Sequence, residues 1–282
     1  MILEAIKSYW NYQKEDRPAN HIGMSSLGHC GRQLAYKHHQ VKGADLDWRS
    51  RVIFDDGDMH HTQIRKAISE GLVLNKSCYG LYGEEEEVNL GVLSGHIDGA
   101  LIHDSTNCTN GQHKDMLLEV KSMNERGFSE FRRTRKLSFE YRAQVSAYLR
   151  ASAMGHAYIL VKNKNNGDMD YLIYEGEDEL LDHRLSVLSD VLASTVPEDI
   201  RREYHADEGG ELEWQCNYCP FVMLCWRHEG VVEVGNKKFK LKNNLAIQKA
   251  SDVTEIVTTE TEKKDESPKE KSKKNKKNRL AR

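Results

Sequence analysis

Two short segments constrain this chain more than any others: Ser94-Gly95-His96-Ile97-Asp98-Gly99-Ala100 and Met116-Leu117-Leu118-Glu119-Val120-Lys121-Ser122. Both read as strands, short apolar runs separated by the polar stretch 103–115. Side chains alternate along a strand, so Glu119 and Lys121 share one face while Val120 turns to the other, towards a core. An Asp closing one strand, a Glu on its neighbour and a Lys two residues on bring two carboxylates and an ammonium together. Carboxylates with an open position suit Mg²⁺ or Mn²⁺, and the ammonium can orient a water or offset developing phosphate charge. A surface hairpin with scattered charges produces the same pattern by chance, so its meaning rests on the rest of the chain.

The 282 residues suffice for one large domain or two small ones. A net charge of −3 argues against wholesale coating of nucleic acid but leaves room for a local basic groove. No apolar run approaches the length of a membrane helix, and Met1-Ile2-Leu3-Glu4-Ala5-Ile6 lacks the basic start of a secretory signal. The expectation is therefore a cytoplasmic protein without a membrane segment. In that reducing setting six cysteines are expected to be metal ligands or reduced thiols rather than disulfides.

Apolar spacing predicts helices over residues 2–14 (Ile2, Ile6, Tyr9, Trp10), 27–36 after a Ser25-Ser26 cap, and 55–71 with Ile64 and Ile68 on the buried face. His60 and His61 fall in the first turns of the last of these. Glu84 to Glu87 lead into a strand at Val88, Leu90 and Val92. Beyond the two organising strands, 128–154 is helical in character and includes a basic run, Arg132, Arg133, Arg135 and Lys136. That run is either a guide for a nucleic-acid strand or a solvated face. Strands at 158–161 and 171–174 flank the turn Asn165-Asn166-Gly167-Asp168, and an amphipathic helix spans 177–192. The order predicts a mixed α/β core. Across residues 263–282, ten Lys or Arg face three acids, a net +7 with almost nothing apolar, so residues 251–282 are expected to form a disordered basic tail after a single domain at 1–250.

The sharpest local motif is Cys216-x₂-Cys219-x₅-Cys225. Three thiolates in ten residues can wrap a metal centre, and a fourth must close it. Cys30, Cys78 and Cys108 are the candidates. Cys30 stands out because it opens a helix, where the helix dipole favours a thiolate. C-x₂-C pairs commonly hold zinc, but zinc sites tend to combine two close pairs. A distant Cys with C-x₂-C-x₅-C, and Pro220 after Cys219, favours an iron–sulfur cluster.

These residues together resemble the iron–sulfur branch of the RecB-like nucleases in the PD-(D/E)XK superfamily. That branch includes the CRISPR-associated RecB-like exonucleases, the AddB nuclease domain and phage exonucleases. The matches run in order over residues 25–228. Gly57-Asp58-Met59-His60-His61 resembles the first motif and picks His61, with His60 as rival. Gly95-His96-Ile97-Asp98 resembles the second, with Ile97 in place of Pro. Glu119-Val120-Lys121 resembles E-x-K, and Gln144-Val145-Ser146-Ala147-Tyr148 resembles Q-x-x-x-Y. Ser25 and Cys30-Gly31-Arg32 resemble the N-terminal cluster segment.

The resemblance implies a restriction-endonuclease-like core whose ends, about 25–36 and 214–228, are joined by a structural [4Fe–4S] cluster on Cys30, Cys216, Cys219 and Cys225. It also implies a DNA nuclease in which His61, Asp98, Glu119 and the Val120 carbonyl hold Mg²⁺ or Mn²⁺, with Lys121, Gln144 and Tyr148 beside them. Family habit is 5′-to-3′ exonuclease action on single-stranded DNA in recombination, phage replication or spacer acquisition, alongside recombination or replication proteins. An inactive nuclease fold that binds DNA and a zinc-stabilised binding protein are the competing readings.

Overall fold

The computed structural model describes residues 2–12, 22–45, 47–104, 114–234 and 238–241. The basic tail at 251–282 lies outside these residues, as does Cys108. The chain divides into two compact units, Met1–His205 with Tyr218–Cys225, and Ala206–Asn217 with Trp226–Arg282.

The first unit opens with helix α1 (Ile2–Tyr12), α2 (Gly31–His38) and α3 (Trp48–Leu74). Strands β1 (Tyr79–Tyr82), β2 (Glu87–Leu90), β3 (Leu93–His96), β4 (Gly99–His103) and β5 (Met116–Met123) follow, then α4 (Glu125–Thr134) and α5 (Phe139–Ser152). β6 (Ala157–Asn163), β7 (Met169–Tyr174) and α6 (Asp178–Ala193) complete the α/β part. Five strands form one mixed sheet in the order β1-β4-β5-β6-β7. Only β5 and β6 run parallel, and the α4–α5 pair makes their crossover. β2 and β3 form a separate hairpin.

The alternation along β5 sorts its residues between two cores. Leu117 packs with Ile159 and Val161 of β6, Phe128 and Phe131 of α4, Val145 of α5 and Leu181 of α6. Leu118 and Val120 turn the other way and pack with Leu101 and with Ile64 of α3. The sheet is thus flanked by helices on both faces.

Several boundaries differ from the sequence expectation. The stretch 94–100 is two strands, not one: β3 ends at His96, β4 starts at Gly99, and Ile97-Asp98 form the break. Gly99 permits it with φ +152°, and a Cβ there would meet Leu81 Cδ1 at 2.7 Å. α2 begins at Gly31 rather than Leu27, because a short 3₁₀ turn at Met24–Ser26 takes up the preceding residues and leaves Cys30 at the N-cap. α3 starts at Trp48, where the Asp47 carboxylate accepts the Ser50 N–H at 2.8 Å, so His60 and His61 are mid-helix. The 128–154 segment is two helices, parted at Arg135 with φ +54° and restarted by a Ser138 cap.

A fully buried arginine braces this unit. Arg184 of α6 donates to the carbonyls of Leu27 (2.9 Å) and His29 (2.5 Å), and to both oxygens of Glu203 (3.0 and 3.1 Å). Glu203 in turn accepts the Gly31 N–H at 2.7 Å. The segment Tyr218–Cys225 includes α8 (Val222–Cys225), which follows α7 (Trp214–Asn217) of the second unit. It is held in the first unit by Phe221 stacked on Tyr36, with centroids 5.0 Å apart, and by Ala44 N–H donating to the Pro220 carbonyl at 2.8 Å.

The second unit comprises α7, β8 (Val231–Glu233) and β9 (Phe239–Leu241), the two strands paired antiparallel. Among the described residues no helix is long and apolar enough to cross a membrane.

Candidate functional site

The break between β3 and β4 places Asp98 beside β5, because Gly99 pairs with Leu118. Both of its oxygens are addressed. Asp98 Oδ2 accepts the Val120 N–H at 2.7 Å. Asp98 Oδ1 lies 2.8 Å from His61 Nδ1 and 3.3 Å from an Arg65 guanidinium nitrogen, both delivered by α3. Burial pushes the Asp98 carboxyl upward, but the His61 hydrogen bond and charge, the Val120 amide and Lys121 outweigh it, and the net shift is downward.

Glu119 is 2 % exposed. Its Oε1 lies 2.5 Å from Lys121 Nζ, two residues on along the same strand face. Burial raises the Glu119 carboxyl and neighbouring Asp98 adds to the rise, against the pull of Lys121. Burial would lower Lys121, but Glu119 overrides it and the ammonium is held above its usual range.

α5 closes the site from the other side. Lys121 Nζ donates to Gln144 Oε1 at 3.2 Å and sits 4.7 Å from the Tyr141 ring centroid. Gln144 Nε2 donates to the Tyr148 hydroxyl at 3.3 Å. The four-residue spacing puts Gln144 and Tyr148 one turn apart on one helix face. Burial beside Glu119 pushes the Tyr148 phenol up to about 12. A Cβ at Gly95 would lie 2.6 Å from the Tyr148 ring, so the glycine of the β3 segment lets this ring approach.

His61, Asp98, Glu119, Lys121, Gln144 and Tyr148 line one cleft of about 650 Å³. His60 is not among its lining residues; it points towards β6, its Nδ1 3.1 Å from Lys162 Nζ. The cleft is also lined by Arg65 and Glu85, among other residues that the sequence analysis did not assign to the site. The one signal for Arg65 in the sequence is its place one helical turn after His61, on the same face. Val120 contributes its amide to Asp98 while its side chain is fully buried in the α3-side core.

Three of the four residues of the basic run at the end of α4 are engaged within the chain. Arg135 and Arg132 lie 2.8 and 3.7 Å from Asp170, Arg133 lies 2.6 Å from Glu130, and none of the three lines the cleft.

The oxygen donors and imidazole suit a hard divalent cation in their chemistry. As placed, Asp98 is committed to His61, Arg65 and Val120, and Glu119 to Lys121. Among the described residues no three His, Cys, Asp or Glu side chains are gathered as a metal site.

Of the four cysteines expected to share a cluster, Cys30, Cys219 and Cys225 lie in the first unit and Cys216 in the second. The Cys225 thiol is raised by burial, with Arg32 and Arg202 opposing and Cys30 adding to the rise. Cys78 is disulfide-bonded, which departs from the expectation of reduced thiols and removes it as a fourth ligand.

No protein-family model matches this sequence, and no curated protein does. Among solved structures the chain is similar to SSO0001, with 15% identity and a TM-score of 0.46 over 80% of this chain and 96% of that one. It is also similar to the alkaline exonuclease LHK-Exo from Laribacter hongkongensis, with 12% identity and a TM-score of 0.42 over 67% of this chain and 91% of that one. LHK-Exo in complex with dAMP matches at 11% identity and a TM-score of 0.42, over 62% and 88% of the respective chains.

Proposed function

We propose that this chain is a metal-dependent nuclease of the PD-(D/E)XK type that hydrolyses DNA phosphodiesters. One observation carries the reading: Asp98, Glu119 and Lys121 meet in a single cleft with His61, Gln144 and Tyr148. Asp98, Glu119, His61 and the Val120 carbonyl would hold Mg²⁺ or Mn²⁺, the imidazole favouring Mn²⁺. A divalent cation bound there would make a water acidic enough to attack and would screen the phosphate charge.

The remaining work falls to side chains. Lys121 stays protonated through Glu119 and donates to the attacking water or to a non-bridging phosphate oxygen. Gln144 fixes the ammonium, so that it meets the phosphate already oriented. Tyr148 keeps its proton far above neutral pH and is a donor towards the DNA backbone. In its finer form the proposal follows the family resemblance: exonucleolytic, 5′-to-3′, on single strands.

Glu119→Gln removes a cation-binding charge while keeping shape, and Lys121→Ala removes the ammonium. Each is expected to abolish cleavage in Mn²⁺ or Mg²⁺ while DNA binding, measured by anisotropy, stays near wild type. Cleavage by Lys121→Ala at the wild-type rate would refute the assignment.

The proposal extends to a structural [4Fe–4S] cluster on Cys30, Cys216, Cys219 and Cys225, supported by the spacing of the last three and by Cys30 being among the groups that raise the Cys225 thiol. Protein purified without oxygen should be brown and contain iron and sulfide, and replacing any of the four cysteines should release the iron. Stoichiometric zinc without iron would favour a zinc-stabilised protein instead.

A further inference from the structure

Arg65 lies on α3 one turn beyond His61, is 8 % exposed, and lines the cleft. One guanidinium nitrogen contacts Asp98 Oδ1 at 3.3 Å and also pairs closely with Glu85 Oε1, while Nε lies 3.5 Å from Glu84 Oε2. A buried cation placed among three carboxylates, two of which (Asp98 and Glu85) line the cleft, calls for an explanation, since it repels any ion arriving there. We infer that Arg65 is a positioning residue that fixes the Asp98 carboxylate for the ion and the reaction. The inference rests on the nuclease reading.

Three contacts hold Asp98 in place: the His61 ring, Arg65 and the Val120 amide. A cation taken by both His61 and Asp98 would displace the hydrogen bond between them. Arg65 and Val120 are then the contacts that need not be given up, one on each carboxylate oxygen. The Val120 amide is fixed by β5. Arg65 is fixed by Glu85, whose backbone sits at φ +57°, a conformation a non-glycine residue holds only when its surroundings impose it. Here the Glu85 N–H donates to the Ile97 carbonyl at 3.1 Å, and the Ile97 N–H to the Glu86 carbonyl at 3.0 Å. The loop before β2 is thus tied to the residue preceding Asp98, and it presents Glu85 to Arg65. Lysine would not fully replace this geometry: the nitrogen that meets both Asp98 and Glu85 is held by a planar guanidinium whose Nε also faces Glu84, whereas an ammonium is a compact charge on a flexible stem.

The test compares the full-length wild type with Arg65→Met and Arg65→Lys, measuring Mn²⁺ binding by calorimetry and the steady-state cleavage of single-stranded DNA. Arg65→Met is expected to bind Mn²⁺ at least about tenfold more weakly and to lose kcat by a similar factor, with KM for DNA unchanged. Arg65→Lys should fall between the two. Unchanged or tighter Mn²⁺ binding with unchanged kcat would overturn the inference. So would a rise in KM with kcat intact, which would make Arg65 a phosphate contact. If Arg65→Met fails to fold, Arg65→Lys decides by the same measurement, and wild-type Mn²⁺ affinity there overturns the inference. A wild type that neither binds Mn²⁺ nor cleaves DNA brings down the nuclease reading itself, which separates the two failures.

Discussion

Asp98 and Glu119 are both buried carboxyls in one cleft, yet they are shifted in opposite directions. The difference lies in what each accepts. Asp98 accepts hydrogen bonds from His61 and from the Val120 amide, whereas Glu119 has Lys121 and the adverse field of Asp98. The two histidines of α3 are separated by the same kind of local detail. His61 reaches Asp98, and His60, rotated about a quarter turn around the helix, faces Lys162. His61→Ala is therefore expected to cut DNA cleavage by at least about tenfold, as for groups that touch a metal set. His60→Ala should leave the rate close to wild type. A larger loss with His60→Ala, measured under identical Mn²⁺ concentrations, would reverse the assignment. The sequence pointed to His61 through its spacing from Gly57. It did not point to Arg65, because a charged residue between Ile64 and Ile68 reads as solvent-facing until Asp98 and Glu85 are known to meet it.

At the level of elements, the strands were read well where burial imposes alternation. β6 alternates buried and half-buried residues along its whole length, and its expected core 158–161 lies inside the observed Ala157–Asn163. Boundaries went astray where no core face marks them. The first four turns of α3 bury no residue, and Ile53, Phe54 and Met59 are exposed, so periodicity had nothing to register before Ile64. The true signal was the Asp47 cap. The break at Ile97-Asp98 was invisible for a related reason. Ile97 is buried like a strand residue, and only the conformation of Gly99 shows that the chain turns there. The basic run at the end of α4 stayed open between a nucleic-acid guide and a solvated face because the counter-ion of Arg132 and Arg135, Asp170, comes from β7 far along the chain.

Across the first unit, residues distant in sequence are joined by few but costly contacts. Arg184 connects the Leu27–His29 turn to Glu203 with no exposure of its own. Arg184→Met would remove the donor to two carbonyls and leave the Glu203 carboxylate with the Gly31 amide alone, and removing one partner of a buried pair typically costs about 3–5 kcal/mol. Thermal or urea unfolding should show a loss of that order, and a change below about 1 kcal/mol would mean that other donors take Arg184's place.

The placement of β5 has a mechanical meaning. It is laddered to β4 on one edge and to β6 on the other, so Glu119, Val120 and Lys121 cannot slide without breaking both ladders. α3 meets the sheet through side chains alone, packing Ile64 on Leu118 and Val120 and reaching Asp98 with His61 and Arg65. The cleft is therefore built as a vice with one fixed jaw and one adjustable jaw. Whatever accommodation a bound molecule demands falls on the helix, while the carboxylate–ammonium pair of the strand stays in register.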